Sequence, residues 1–236
     1  MPHEPILSIP GLPRPGERTR PLPPPLRWDE VFERPSPVEI EVGPNKGRFL
    51  VAAARQNPGI NYLGVEIRRA HADLLAERLR KHGLTNARVL HADAAMVIHA
   101  LVPAASVEAI HLYYPDPWWK ARHLKRRLVT DEFLADCARA LRTGGMLRVA
   151  TDVADYFEVI AGLLDAGPVF RREAAPAGSL GSAEAPMTSF QEKGLRAGRG
   201  IHGGVWARSE APAPSTPDPR ERLALRRRST APFEPD

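Results

Sequence analysis

Residues 38–47 read Val-Glu-Ile-Glu-Val-Gly-Pro-Asn-Lys-Gly, and this stretch decides the fold. Its β-branched residues predict a short strand over Val38–Val42, which runs into a turn bounded by Gly43 and Gly47. A helix is expected over Arg48–Gln56, because the asparagine and proline that follow cannot continue it. A strand that enters a glycine turn and then a helix lets the backbone approach a ligand closely, at the positive end of the helix.

The alternation of strands and helices continues along the chain. Further strands are expected at Tyr62–Ile67, Ala87–His91, Val107–Tyr113 and Met146–Ala150, and helices at Ala70–His82, Ala94–Leu101, Asp131–Leu141 and Tyr156–Ala166. Phe170–Glu173 and Gly204–Arg208 are expected as edge strands. Repeated strand–helix units of this length predict an α/β fold with a doubly wound, mostly parallel sheet and an antiparallel edge. In such sheets, ligands bind at the carboxyl ends of the strands.

The two ends of the chain differ in composition from this middle part. Ten prolines fall within residues 1–36, which lack apolar periodicity and are expected to form a flexible arm. Residues 209–236 contain six prolines and an arginine run, and they are expected to form a second flexible tail. Each tail carries as many cations as anions, so the net charge of +5 resides in the domain expected over residues 37–208. A basic domain favours a polyanionic partner.

Composition argues against a membrane protein and against a secreted protein. No apolar run reaches the roughly 18 residues of a membrane helix, and the first residues lack the pattern of a signal peptide. Cys137 is the single cysteine, cannot form an internal disulfide and is expected to be a small core residue, which fits a cytoplasmic protein. No metal site is expected, because His91, His99 and His111 lack cysteine or carboxylate companions at ligand spacing.

Acidic residues lie at the ends of the first three strands. Glu41 stands just before the glycine turn, Glu66 closes the second strand and Asp93 follows the third. A carboxylate at position 66 can accept hydrogen bonds from both ribose hydroxyls, and Asp93 is placed to reach an adenine edge. A nicotinamide dinucleotide is the alternative, but Gly43 and Gly47 do not fit its G-x-G-x-x-G spacing. Glu41 also suits a ligand with a cationic amino acid end better than it suits a pyrophosphate.

The most specific segment follows the fourth strand. Residues 113–120 read Tyr-Tyr-Pro-Asp-Pro-Trp-Trp-Lys and place Asp116 between two prolines, which restrict its backbone. A cluster of cations follows: Lys120, Arg122, Lys125, Arg126 and Arg127. A guanine requires a stacking face and an acceptor for its N1–H and N2–H groups, and an RNA backbone requires positive charge. Taken alone, the two tryptophans could pack in the core and the cations could form a solvated surface. Neither explanation accounts for an acid, two tryptophans and a cluster of cations in this order.

These motifs resemble those of the bacterial tRNA (guanine-N7)-methyltransferase family. The resemblance covers about residues 38–208, close to three quarters of the chain. It rests on segments 41–47, 64–66, 91–94, 115–127, 150–152 and 188–194. The resemblance implies the Rossmann-like class I methyltransferase fold, S-adenosylmethionine as the cofactor, and guanine 46 in the variable loop of tRNA as the target.

The resemblance also implies roles for individual residues. It places the cofactor against Glu41, Glu66, Asp93 and Asp116, and the glycine turn adds Gly43 and Gly47 to the expected cofactor-binding set. It assigns substrate contacts to Lys120, Asp152, Thr188, Ser189, Phe190 and Gln191, and the cluster of cations adds Arg122, Lys125 and Arg126 to the expected substrate-binding set. Asp116 is expected to be the catalytic residue. Because N7 of guanine carries a lone pair and no proton, its expected task is to hold and polarise the base rather than to remove a proton.

Two positions depart from the pattern of the family. Asn45 stands where the family has a second loop glycine, and Gln191 stands where it has a glutamate. Asparagine tolerates positive φ, so Asn45 is expected to keep the shape of the loop, whereas Gln191 keeps an acceptor but loses a charge. Two alternatives stay open: a methyltransferase with another substrate, and a cofactor-binding RNA module without turnover. The sequence also leaves open whether the protein is a monomer or a homodimer.

Overall fold

The computed structural model describes residues 4–13, 22–118, 127–174 and 200–214, which contain seven strands and six helices. The strands are β1 Val38–Val42, β2 Asn61–Glu66, β3 Ala87–His91, β4 Val107–Tyr113, β5 Leu141–Thr151, β6 Phe170–Glu173 and β7 His202–Arg208. The helices are α1 Trp28–Val31, α2 Arg48–Gln56, α3 Arg69–Lys81, α4 Ala94–Ala100, α5 Asp131–Ala140 and α6 Ala154–Asp165. Every predicted element is present, and α1 is an addition.

The seven strands form one sheet in the order β3-β2-β1-β4-β5-β7-β6. β1 to β5 pair in parallel, while β7 runs antiparallel to both β5 and β6. This confirms the predicted doubly wound sheet with its antiparallel edge. From β1 the chain adds β2 and β3 on one side and then crosses to add β4 on the other. The topological switch point, where ligands bind in such folds, therefore lies between β1 and β4.

Helices cover both faces of the sheet. The apolar residues of β1 belong to the larger core, which also contains buried side chains of α4, α5 and α6. The smaller core lies between the sheet and helices α2 and α3. Glu39 and Glu41 alternate with the apolar residues of β1, so both point toward α2 and α3, and both are buried. Among the described residues, no helix is long and apolar enough to cross a membrane.

Part of the N-terminal segment packs on the domain, so the flexible arm predicted over residues 1–36 does not hold for the residues described. The backbone N–H of Leu7 donates to the carbonyl of Val89 (2.8 Å), and Val89 N–H donates to the carbonyl of Pro5 (2.9 Å). These bonds extend the sheet beyond β3. Proline has no backbone N–H and can only accept a hydrogen bond, which is sufficient at the edge of a sheet. A proline-rich segment can therefore pair there. Farther along the segment, Leu26 is buried in the larger core.

The beginning of the predicted C-terminal tail is also held by the domain. The backbone N–H of Ser209 donates to the carbonyl of Val169 (2.9 Å). The other parts of the two predicted tails, residues 1–3, 14–21 and 215–236, lie outside the described residues. For those residues, flexibility stays a prediction.

β5 begins directly after α5 and not, as predicted, at Met146. Gly144 and Gly145, which come between the predicted helix and the predicted strand, lie within β5, near a shift in the register between β4 and β5. Gly145 approaches β4 so closely that an added Cβ would lie 3.0 Å from the carbonyl oxygen of Glu108. Because β4 and β5 come so close at Gly145, a side chain has no space there. The sequence shows only that the glycine follows a helix and does not reveal this contact.

Candidate active site

A cavity of about 450 Å³ lies at the carboxyl ends of β1 to β4, at the topological switch point. Its wall includes residues at the ends of these strands or just after them: Gly43, Asn45, Glu66, Ile67, Arg68, Asp93, Tyr114, Asp116 and Trp118. Four predicted site residues that are far apart in sequence, Gly43, Glu66, Asp93 and Asp116, thus meet in one cavity. The volume is in the range of small-molecule and cofactor sites.

Glu66 connects the loops that follow β1 and β2. Its Oε2 atom accepts a hydrogen bond from the backbone N–H of Asn45 (2.8 Å), and its Oε1 atom accepts one from the backbone N–H of Arg68 (2.8 Å). Asn45 has a φ of 53°, which confirms the prediction that asparagine maintains a left-handed turn there. Each carboxylate oxygen of Glu66 has a second lone pair, which can accept a hydrogen bond from a ribose hydroxyl.

Glu41, which is predicted to bind the cofactor, is buried beneath the turn and is not part of the cavity wall. Its side chain is almost fully buried (3% of the residue is exposed), and its Oε2 atom has no hydrogen-bond partner among the described residues. Burial, with the nearby charge of Glu66 adding to it, raises the pKa of Glu41 to about 8. The carboxyl is therefore mostly protonated at neutral pH. Acids perturbed in this way are typical of functional sites.

Replacing Glu41 with glutamine is expected to stabilise the protein at neutral pH. The pKa of Glu41 is 4.5 in its ordinary state and about 8 in the folded protein. Folding therefore takes up a proton, and stability falls as the pH rises from about 4.5 to about 8. Glutamine does not titrate, so the free energy of unfolding of Glu41→Gln should exceed that of wild type by about 2–3 kcal/mol at pH 7.

Urea unfolding at pH 4.5 and pH 7 measures this difference, which should nearly vanish at the lower pH. Glu77→Gln, on the exposed side of α3, is the matched control and should show no comparable pH-dependent gain. A Glu41→Gln protein less stable than wild type at pH 7 would contradict the raised pKa.

Gly43 and Gly47, both predicted to bind the cofactor, have different roles in the structure. Both have left-handed backbone, with φ of 66° and 72°. Gly43 lines the cavity, and a Cβ added to it would meet no atom within 4 Å, so glycine leaves space there for a ligand. Gly47 does not line the cavity, and its added Cβ would lie 2.1 Å from Cδ1 of Leu75. Gly47 is therefore required for the close packing of α2 on α3.

The variant Gly47→Ala should lose more stability than Gly43→Ala. Both changes place a side chain at positive φ, which costs about 1–2 kcal/mol. Gly47→Ala must also displace the fully buried side chain of Leu75, which brings the expected total loss to about 2–4 kcal/mol. Urea unfolding of the two variants tests this, and truncating Leu75 to alanine should shrink the loss at position 47. Equal losses for both glycine variants would refute the packing role.

Asp93 contributes to a helix and to the cavity at the same time. Its Oδ1 atom accepts a hydrogen bond from the backbone N–H of Ala95 (2.9 Å), which caps α4. The same side chain lines the cavity. The carboxylate predicted to meet an adenine edge is therefore in the wall, and the helix cap fixes its orientation.

Asp116 lies exposed on the cavity wall, in a segment with unusual backbone. Tyr114 and Trp118, which lie two residues before and after it, have φ of 53° and 40°. Left-handed backbone at such residues costs about 1–3 kcal/mol and persists only where surrounding contacts impose it. One such contact is the hydrogen bond from the backbone N–H of Tyr114 to the carbonyl of Ala150 in β5 (2.7 Å). Strain on both sides of one carboxylate indicates a segment shaped for function.

The remaining predicted site residues are not part of the described cavity. Asp152 follows β5 and is half-buried, but it does not line the cavity. The other predicted substrate contacts lie outside the described residues: Lys120, Arg122, Lys125, Arg126, Thr188, Ser189, Phe190 and Gln191. The cavity wall also includes Ile67, Arg68 and His71, which were not predicted although they follow closely on Glu66.

Comparison with known proteins connects this geometry to a family. The family described as "Putative methyltransferase" matches residues 35–203. The tRNA (guanine-N(7)-)-methyltransferase of Aliivibrio salmonicida is 36% identical over 177 residues, which cover 75% of this chain and 74% of that protein. The protein of the same name from Alkalilimnicola ehrlichii is 37% identical over 188 residues, covering 80% of this chain and 79% of that protein. This chain belongs to the tRNA (guanine-N7)-methyltransferase family.

Solved structures confirm the fold of this tRNA (guanine-N7)-methyltransferase family member. The 16S rRNA methyltransferase KamB matches it with a TM-score of 0.57 over 77% of this chain and 92% of KamB, at 17% sequence identity. A 30S ribosomal A1408 methyltransferase from an uncultured bacterium matches with a TM-score of 0.53 over 77% and 92% of the two chains, at 12% identity. At these identities the likeness shows the common Rossmann-like methyltransferase fold and nothing about the substrate.

The cavity fits S-adenosylmethionine, the methyl donor of this methyltransferase family. That cofactor carries a positively charged sulfur and an ammonium group, and the cavity wall is rich in carboxylates, with Glu66, Asp93 and Asp116. The ribose and adenine of the cofactor require hydrogen-bond acceptors, which the same carboxylates provide. Gly43 leaves the wall open where any other residue would place a side chain.

Proposed function

We propose that this protein methylates N7 of guanine 46 in the variable loop of tRNA, with S-adenosylmethionine as the methyl donor. The observation that carries the proposal is the position of Asp116, between two strained residues, in the same cavity as Gly43, Glu66 and Asp93. Relatives 36% and 37% identical to this chain are named tRNA (guanine-N(7)-)-methyltransferases, which supports guanine N7 in tRNA as the target. The cavity thus combines a nucleoside-type cofactor site with an acceptor for a guanine edge.

The proposed cofactor contacts come from three residues of the cavity wall. Glu66 accepts hydrogen bonds from the ribose hydroxyls, Asp93 accepts one from the adenine edge, and Gly43 allows close approach of the backbone. Glu41 lies beneath the turn and is proposed to act on the cofactor through its negative charge, without lining the cavity. A positive ligand nearby lowers the pKa of a carboxyl, so binding of the cofactor favours the ionised form of Glu41.

The proposed reaction requires no general base, because N7 of guanine carries an in-plane lone pair and no proton at neutral pH. S-Adenosylmethionine, when bound, would supply a methyl group on a positively charged sulfur. The N7 lone pair would form the new carbon–nitrogen bond while the carbon–sulfur bond breaks and the sulfur leaves as a neutral thioether. The task of the protein is alignment, which is worth up to roughly 7–11 kcal/mol. Asp116 accepts hydrogen bonds from N1–H and N2–H of the guanine and stabilises the positive charge that the purine acquires. Trp118 offers a ring on which the base can stack.

The proposed partner is tRNA, bound through the positive charge of the domain. Phosphate contacts are assigned to Lys120, Arg122, Lys125 and Arg126, and contacts to the target nucleotide to Asp152, Thr188, Ser189, Phe190 and Gln191. With a tRNA substrate, the protein works in the cytoplasm. A monomer and a homodimer are both compatible with one such cavity in each chain.

Two matched transcripts test the proposed target. Incorporation of the labelled methyl group of S-adenosylmethionine should be seen in a tRNA transcript with guanine at position 46 and should be absent from the same transcript with adenine there. Equal incorporation into both would reject guanine 46. Label in 16S ribosomal RNA but not in tRNA would support the alternative of another substrate, and cofactor binding without transfer to any RNA would support a module without turnover.

A further inference from the structure

Arg127 turns back toward the active site and does not simply extend the run of cations that precedes it. Its Nε–H donates a hydrogen bond to the carbonyl oxygen of Pro117 (2.8 Å), ten residues earlier in the chain. Its guanidinium lies over the ring of Tyr156, 5.0 Å from the ring centroid. Arg127 also lines the cavity together with Asp116 and Trp118. A side chain held by two such contacts is directed to the cavity wall by the fold itself.

Tyr156 gives this arrangement a rigid base. It lies in the first turn of α6 and is fully buried within the larger core. Burial raises the pKa of the Tyr156 hydroxyl, while the positive charge of Arg127 opposes the shift and the negative charge of Asp116 adds to it. The three groups are therefore close enough to influence one another. Cation–π contact with a buried ring favours one orientation of the guanidinium.

The carbonyl that Arg127 binds is that of the residue after Asp116. Fixing this carbonyl fixes the peptide between Pro117 and Trp118, where the backbone enters the strained conformation of Trp118. Strained backbone relaxes when the contacts that impose it are removed. A displacement of about 1 Å at a reacting group can cost about 100-fold in rate, so a contact that holds this peptide also protects the geometry of the reaction.

We propose that Arg127 is a positioning residue for methyl transfer: it fixes the Asp116–Trp118 segment through the Pro117 carbonyl and the Tyr156 ring, instead of binding tRNA phosphate. The proposal rests on the proposed function, because its kinetic consequence is a loss of methylation rate. It separates Arg127 from Lys125 and Arg126, which stand beside it in the sequence. Arginine is required over lysine, because only a planar guanidinium can donate from Nε and lie flat on an aromatic ring.

The decisive variant is Arg127→Lys, which keeps the positive charge but loses the planar group. We expect its single-turnover methylation rate at saturating tRNA to fall about 10- to 30-fold, whereas the Kd for tRNA and the salt dependence of tRNA binding stay within about twofold of wild type. Tyr156→Leu, which removes the ring under the guanidinium, should reproduce the loss, and Tyr156→Phe, which keeps the ring, should lose less rate than Tyr156→Leu. Arg80→Lys, on the exposed part of α3, is the matched control.

Hydrogen exchange gives a second measurement, which does not depend on activity. The backbone amides of Tyr114, Asp116 and Trp118 should exchange faster in Arg127→Lys than in wild type, while those of β5 should not change. The proposal is overturned if Arg127→Lys retains the wild-type rate and exchange. It is also overturned if its defect lies in the Kd for tRNA with a reduced salt dependence, as for a phosphate contact. A wild-type protein that methylates no tRNA would overturn the proposed function, and the exchange measurement would still decide the role of Arg127.

Discussion

Asp116→Asn is expected to lower the single-turnover rate of tRNA methylation about 100-fold or more, while the Kd for tRNA changes much less. The substitution keeps the size of the side chain but removes the charge and replaces one acceptor oxygen with a donor. That donor would face the N1–H and N2–H donors of the guanine. About 3 kcal/mol of charge-assisted hydrogen bonding is lost, which corresponds to two orders of magnitude in rate. Binding of tRNA is dominated by phosphate contacts and should be largely preserved.

The matched control for Asp116→Asn is Asp73→Asn on α3. Asp73 is exposed and forms a surface ion pair with Arg69 (2.8 Å), a type of contact that contributes little to stability. The single-turnover methylation rate of Asp73→Asn should equal that of wild type. Near-normal turnover by Asp116→Asn, with S-adenosylmethionine bound normally, would contradict a role of Asp116 in the reaction. Asp116 would then be only a residue of the cavity wall.

Glu66→Ala is expected to weaken cofactor binding about 100-fold or more. Two losses combine. The ribose hydroxyls lose their acceptor, and the backbone N–H groups of Asn45 and Arg68 lose the carboxylate that holds them (2.8 Å each). Hydrogen bonds to a charged group contribute about 1.5–3 kcal/mol each, so the loops on both sides of the cavity are loosened together.

Calorimetry with S-adenosylhomocysteine measures the effect of Glu66→Ala without turnover. Glu66→Gln should give an intermediate loss, because an amide retains one acceptor oxygen but presents a donor to the second backbone N–H. Glu77→Ala, at an exposed position of α3, should bind as wild type does. Unchanged affinity in a folded Glu66→Ala protein would contradict both the ribose contact and the bridging role.

The parts of the site that could be predicted from the sequence depend on local patterns and one general rule. Strand and helix periodicity locates the ends of β1 to β4, and parallel strands bring these ends to one edge of the sheet. The meeting of Glu66, Asp93 and Asp116 in one cavity follows from that rule. The left-handed turn at Asn45 was predictable too, because it depends on the conformational preference of a single residue.

The parts that could not be predicted depend on contacts between distant residues. The role of Gly47 follows from the side chain of Leu75, which the sequence does not place beside it. Pro5 and Leu7 pair with Val89 at the edge of the sheet. The sequence predicts a flexible arm there instead, because a proline-rich composition is typical of such arms. Arg127 is indistinguishable from its basic neighbours in sequence, because nothing local indicates which guanidinium turns back to Pro117.

One cavity is proposed to bring a methyl donor and a tRNA guanine together. The most direct measurement is mass spectrometry of nucleosides from unmodified tRNA after incubation with the purified protein and S-adenosylmethionine labelled in its methyl group. We predict a labelled 7-methylguanosine that is abundant with wild type and strongly reduced with Asp116→Asn. The absence of labelled 7-methylguanosine with folded, cofactor-binding wild type, or label in a different nucleoside, would contradict the account.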